Sequence, residues 1–234
     1  MSNSKNEKHG LSSYQQTKFL NYVDNGLMRV QRRWVRRIAD IGSTGTPLPE
    51  GIEISDVQGY KDILELLNDL RALVDFVWYS ITKENFQYMF GQEEYLLKIL
   101  DDLGEYIHEF PIRQFQDQKD PQAVQVFEFL KEMDKKFCQL IDHKAINLTV
   151  RVRLESIADR SRESIFTWIG FSTNERRAKT NGLNTQKATR EGGPDVSEDD
   201  MDDDESSSTS SPENIYWKDS NEVFVGVLER FEFV

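Results

Sequence analysis

The chain has 234 residues, 38% hydrophobic and 30% charged, which suits one helical domain with polar flanks rather than two packed domains. It contains no apolar run of about eighteen residues, so no segment reads as a membrane-spanning helix. The net charge is −12, yet residues 192–234 hold thirteen acids against two bases while residues 11–191 hold twenty-seven against twenty-five. The acidity therefore sits in the C-terminal part, and a strongly anionic chain is a poor general binder of nucleic acid, whose affinity comes largely from neutralised phosphates.

Residues 1–12 read as a disordered leader, polar and without the apolar stretch of a secretion signal. From Ser13 to Ile41, apolar residues recur at Leu20, Val23, Leu27, Val30, Trp34, Ile38 and Ile41, one stripe on a long helix capped by Ser12 or Ser13. Glycines and prolines in 42–51 end it. A second helix is expected over Gly59–Lys83, with Tyr60, Ile63, Leu64, Leu67, Leu70, Val74, Val77, Trp78 and Ile81 on its buried side. A third runs over Gln92–Phe110 and stops at Pro111. Asp120-Pro121 opens a fourth, carrying Val124, Phe127, Leu130, Phe137 and Ile141. The fifth spans Leu148–Trp168 behind an Asn147 cap; its stripe passes over the small Ser161, where a neighbouring helix has room to come close.

No segment of 13–170 alternates strictly, so the fold class is all-α: a bundle of about five amphipathic helices over residues 13–171. Residues 172–213 are polar, acidic and serine-rich. They have little to bury against an ordering cost of ~1–2 kcal/mol per residue, and are expected to be a disordered linker. Residues 214–234 turn apolar again. Val223, Val225, Val227, Phe231 and Phe233 suggest a short extended docking segment, carried on that tether to its own bundle or to another protein.

Catalytic and metal chemistry is sought without success. His9, His108 and His143 are scattered, and none has a second ligand at metal spacing. Gly42 and Gly45 precede no Gly-Lys-Ser/Thr, and neither GxSxG nor HExxH occurs. Glu93-Glu94 and Asp101-Asp102 are adjacent on a helix, about 100° apart, so neither pair shares a site. The lone Cys138 reads as a small buried hydrophobe and points to a reducing compartment. The chain is expected to be no enzyme and to need no cofactor, metal or small-molecule substrate.

What remains is surface. In RVQRRWVRR, Arg29, Arg32, Arg33, Arg36 and Arg37 lie mostly off the stripe that holds Trp34. The preferred reading is a core tryptophan with a solvated or acid-paired arginine face. Contact with a protein partner, with the chain's own acidic tail, or with nucleic acid through Trp34 stacking are the alternatives. Arg151 and Arg162 have local helix partners in Glu155 and Asp159, whereas Arg153 and Arg160 have none and are free to reach another helix or a partner. Tyr216, Trp217 and Phe224 are candidate anchors beside the acidic string, and Ser197, with an acid three residues downstream, is a candidate phosphorylation site.

Three stretches, FLNYVDNGLMRVQRRWV (19–35), FVWYSITKENFQYMFGQEEYLLKILDDLGEYI (76–107) and RVRLESIADRSRESI (151–165), together resemble a fungal family of accessory subunits of the general transcription factor TFIIH, counted as its eleventh subunit. Phe90-Gly91-Gln92 before Tyr95-Leu96-Leu97, and the arginine-flanked Leu154-Glu155-Ser156-Ile157-Ala158, carry the likeness. The resemblance implies a non-catalytic nuclear protein that promotes release of the DNA-translocating helicase subunit from TFIIH after initiation. A different class remains open from the residues alone: an acidic chaperone or adaptor, acting through residues 195–213 on basic nuclear proteins such as histones.

Overall fold

A computed structural model describes residues 10–42, 58–83, 86–112, 119–170 and 215–232. Among these, regular structure is helical throughout. The elements are α1 (Ser13–Gly42), α2 (Ile63–Lys83), α3 (Gln92–Tyr106, continued by a 3-10 turn Ile107–Glu109), α4 (Pro121–Asp142), α5 (Leu148–Trp168), α6 (Trp217–Glu222) and α7 (Val225–Glu232). No described helix is long and apolar enough to cross a membrane.

The helix starts follow from local chemistry. Ser12 Oγ accepts from the Gln15 N–H (3.3 Å) while Gln15 Oε1 accepts from the Ser12 N–H (2.9 Å), a reciprocal cap. The second helix begins at Ile63 rather than Gly59, because Asp62 Oδ1 takes the Glu65 N–H (3.0 Å) and makes the cap there. Gly59 instead lies flat against α1: a Cβ on it would sit 2.5 Å from the Arg37 backbone nitrogen. Asp120 and Asn147 cap α4 and α5 through the N–H groups of Gln122 (2.8 Å) and Val150 (2.9 Å).

The residues behind the family likeness have structural duties at the start of α3. Gly91 takes a φ of 98°, open to glycine and costly for other residues. The buried Gln92 returns its Oε1 to the Phe90 N–H (2.6 Å), and the Phe90 ring meets Phe19 edge-on at 5.4 Å. Tyr95 then donates to Asp24 Oδ1 (3.0 Å), tying α3 to α1.

α3 packs against α1, α2 and α5; α2 packs against α1, α3 and α4. The α3–α5 crossing is close where Ser164 Oγ donates to the Gly104 carbonyl (2.6 Å). Along α1, Phe19, Val23, Leu27 and Val30 are buried and Trp34 packs on Tyr106 at 4.8 Å, but Ile38 is 40% exposed. The thirty-residue helix is longer than the helices beside it, and Ile38 lies on a side of its last described turns that the neighbouring helices do not cover. The Ile41 side chain lies outside the described ones.

The expected extended docking segment is corrected: residues 217–222 and 225–232 are two short helices. Both pack on α4 and α5. This accounts for a second correction. Val124 and Ile141, placed on the α4 core stripe by their spacing, are half-buried, while Ala123, Val126, Phe129, Met133, Cys138 and Leu140 are buried. α4 faces α2 on one side and the C-terminal helices on the other, so its apolar stripe is wider than one partner requires. The joint at Phe224 has a φ of 53° and a ring with no exposure. A positive φ at a bulky residue costs ~1–3 kcal/mol and persists only where the surroundings enforce it. Burial of the whole ring does so here.

Candidate partner-binding surface

Several of the groups with potential for bond-making chemistry have structural contacts among the described residues. Among the described residues no three His, Cys, Asp or Glu side chains stand together as a metal site. His9 lies outside those residues; His108 Nε2 is 2.9 Å from Ser164 Oγ, and the His143 ring stacks on Phe86 at 4.2 Å. Burial, with Asp134 beside it, pushes the Cys138 thiol up to about 11, so it stays protonated and unreactive at neutral pH. Glu94 and Asp101 pair with arginines of α5, and Asp102 with Lys98 at 3.0 Å.

The arginine cluster divides in two. Arg33 is part of the scaffold: its guanidinium bonds Asp69 (2.8 Å), Glu65 (3.1 Å) and the Gln58 carbonyl (3.3 Å), and lies 4.0 Å over the Tyr60 ring. Burial and the Asp69 carboxylate push the Tyr60 hydroxyl far above its usual value, so it remains a donor to Asp69 (2.9 Å). Arg37 donates to the carbonyls of Tyr60 (2.7 Å), Lys61 (2.9 Å) and Glu109 (3.0 Å) and covers the Phe110 ring. It thereby clasps the segment before α2 and the end of α3 onto α1, a duty that spacing alone could not reveal. Arg36 is half-buried. Arg29 and Arg32 are exposed, and among the described residues neither forms an ion pair. With Tyr22, Asn25, Gly26, Met28 and Leu73 they line a hollow of about 330 Å³ between α1 and α2. The floor of that hollow depends on Gly26, where a Cβ would meet Leu73 Cδ2 at 2.4 Å.

Arg153 and Arg160, lacking local acids, reach across to α3 and pair with Glu94 and with Asp101 (3.0 Å). Both pairs are half-exposed and lie on the surface, where such contacts contribute little. Two of the three aromatic anchors are not surface residues. Tyr216 is buried, its ring stacked on Phe127 at 6.0 Å and its hydroxyl oxygen accepting the Asp120 N–H (2.6 Å). Phe224 is fully buried. Trp217 is half-buried, edge-on to Phe166 at 5.9 Å. Their chain folds back on its own bundle, and polar contacts fix it there. Asp134 accepts the Val227 N–H (2.9 Å) at the start of α7, Arg230 grips Asp142 with two bonds (2.8 and 2.9 Å), Lys131 meets Glu222 (2.8 Å) and Lys119 meets Asp219. The acidic string 195–213, Ser197 and the proposed linker 172–213 lie outside the described residues.

Among the described residues, fold and surface together define a helical bundle whose α1/α2 face carries Arg29 and Arg32 outside any ion pair and whose C-terminal helices are held on its own α4 and α5. The family described as subunit 11 of the general transcription factor TFIIH matches residues 59–225, which take in α2 to α6 and leave out α1. The chain belongs to that family. It is also 30% identical to the General transcription and DNA repair factor IIH subunit TFB6 of Saccharomyces cerevisiae, over 65% of this chain and 53% of the yeast protein. The chain thus spans about half the length of that curated relative. No solved structure matches it.

Proposed function

We propose that this protein is a non-enzymatic nuclear subunit of TFIIH that binds the DNA-translocating helicase subunit and promotes its dissociation after transcription initiation. The observation that carries this reading is the family match across residues 59–225, which takes in most of the bundle core. Arg29 and Arg32, exposed beside the α1/α2 hollow and outside any ion pair among the described residues, give the bundle a surface with charge for a partner. A binding protein moves such an equilibrium only through differential affinity: holding the released helicase about 1.4 kcal/mol more tightly than the docked one shifts dissociation tenfold.

The test is helicase retention on immobilised TFIIH, with and without the purified protein. Faster loss of the helicase subunit in its presence is expected. Unchanged retention at saturating protein would refute the reading.

A further inference from the structure

The sides of α1 and α2 that face away from the rest of the bundle form a longer feature than the arginine hollow. N-terminal to it lies a second hollow of about 360 Å³, lined by Leu11, Gln15, Lys18, Phe19, Tyr22, Phe76, Tyr79, Ser80 and Lys83. Tyr22 lines both, so the two hollows adjoin end to end along α1. Together they form a groove that follows α1 from Gln15 to Arg32 for about 26 Å, nearly five turns of helix. Tyr22 and Tyr79 are 59% and 64% exposed, large apolar rings left open to solvent on a bundle with a complete core beneath them.

The charge of the groove is opposite to that of the chain. Its lining contains Lys18, Lys83, Arg29 and Arg32 and no acid, in a protein of net charge −12. None of the four cations forms an ion pair among the described residues. Lys18 and Lys83 rest over the rings of Tyr14 (4.6 Å) and Tyr79 (6.0 Å). The neighbouring carboxylates are engaged elsewhere: Asp24 with Tyr95, Asp69 with Arg33 and Tyr60, and Asp75 with Lys136 at 3.9 Å.

We infer that this groove is a docking site for an acidic amphipathic helix of a partner protein. Apolar residues on successive turns of that helix seat against Tyr22, Phe76 and Tyr79, and acids on its flanks meet Lys18, Lys83, Arg29 and Arg32. Length, apolar floor and cationic rims match that ligand together. Nucleic acid fits less well. Phe76 is stacked on Phe19 (5.0 Å) and packed on Tyr22 (4.6 Å), so a base stacking at the centre of the groove would find that ring already engaged. The chain's own acidic string 195–213 has the charge but only Val196 and Met201 as apolar anchors. The inference rests on reading the protein as an interaction subunit and adds the chemistry of the partner.

The test uses the full chain and a fluorescein-labelled synthetic helix of about 18 residues, with Leu and Phe on one face and Glu on its flanks, followed by anisotropy. The acidic probe should bind at least about tenfold more tightly than its Lys-flanked counterpart and weaken as salt rises. Lys18→Glu with Lys83→Glu should cost about tenfold in affinity, and so should Tyr22→Ser with Tyr79→Ser. All four residues are at the surface, and circular dichroism checks that each variant stays folded. Failure of the acidic probe to bind, equal binding of the Lys-flanked probe, or indifference to both variants would overturn the inference. So would a groove-dependent preference for oligo(dT), anionic phosphatidylserine vesicles, a peptide of residues 192–213, or a second copy of this chain seen in sedimentation. Loss of helicase release with probe binding intact would strike only the cellular role, and the converse only the groove.

Discussion

The α4/α5 face and the α1/α2 face both carry more apolar surface than their packing within the five-helix bundle covers, but they meet different fates. Over α4 and α5 the chain lays its own C-terminal helices: Phe224 and Val227 are buried, Tyr216 stacks on Phe127, and Trp217 packs on Phe166. Over α1 and α2, Tyr22, Phe76 and Tyr79 stay open between cations that form no ion pair among the described residues. The covered face is fastened with directional contacts, the Asp134 cap on α7 and the two-pronged Arg230–Asp142 pair. The open face keeps its charges unspent. An apolar excess on a helix pair thus has two readings, a seat for a segment of the same chain or a seat for another, and the state of the surrounding charges separates them.

The comparison breaks most visibly at Phe224. Phe224→Ala empties a fully buried ring position and should cost about 3–5 kcal/mol in urea unfolding. Fast hydrogen exchange should spread across 215–232, while α1 to α3 stay protected. Uniform loss across all helices would mean that the covered face is no separate unit. Arg37→Ala removes a guanidinium that satisfies three backbone carbonyls, so a loss of about 2–3 kcal/mol is expected on the same measurement, with Arg37→Lys recovering only part of it. A smaller effect, about 1 kcal/mol, should follow Asp134→Ala, because the first turn of α7 loses its acceptor. Asp134→Asn, which keeps an acceptor, should restore most of it.

Acid should loosen the covered face before the open one. Hydrogen bonds from Arg230 and Lys131 hold the Asp142 and Glu222 carboxyls below their usual range. Their contribution is present above the ordinary carboxylate pKa and is lost as pH falls through the depressed values. Asp134 has the opposite sign: burial raises it, so protonation on the way down offsets part of the loss. Between neutral pH and about pH 3, Asp142→Asn with Glu222→Gln should flatten the fall in melting temperature seen for the native chain. Both carboxylates are largely exposed, so the effect is modest. Arg29→Glu with Arg32→Glu should move stability least, within about 0.5 kcal/mol, while weakening the acidic helical probe. A large stability loss there would show that these arginines belong to the scaffold, as Arg33 and Arg37 do.

Much of this was legible in the chain itself. Periodicity located five helices, and at α5 the span Leu148–Trp168 and the Asn147 cap agree with the structure to the residue. The Asn147 cap, a cap at Ser12 or Ser13, and a helix start at Asp120-Pro121 were readable because a helix start depends on side chain and backbone a few residues apart; the structure picks Ser12. The division of the arginine cluster was not legible. Arg29, Arg32, Arg33 and Arg37 share one composition and one helix, and what separates them is whether Asp69, Glu65 or the Glu109 carbonyl comes within reach. Each partner lies more than thirty residues away in sequence.

The C-terminal segment marks the boundary most clearly. Alternating valines in Val223, Val225 and Val227 have the period of a strand, and an isolated eight-residue helix gains too little from its few internal hydrogen bonds to form alone. The seat between α4 and α5, with Asp134 placed to cap it, makes the helix worth forming. Sequence by itself determined the helical class of the bundle, most of its helix starts and most of its apolar ribs, because those depend on neighbours three or four residues apart. Which ribs meet each other, which cations find an acid among the described residues, and what shape the last eighteen described residues take were decided only by tertiary structure, because those depend on groups that are neighbours solely once the chain has folded.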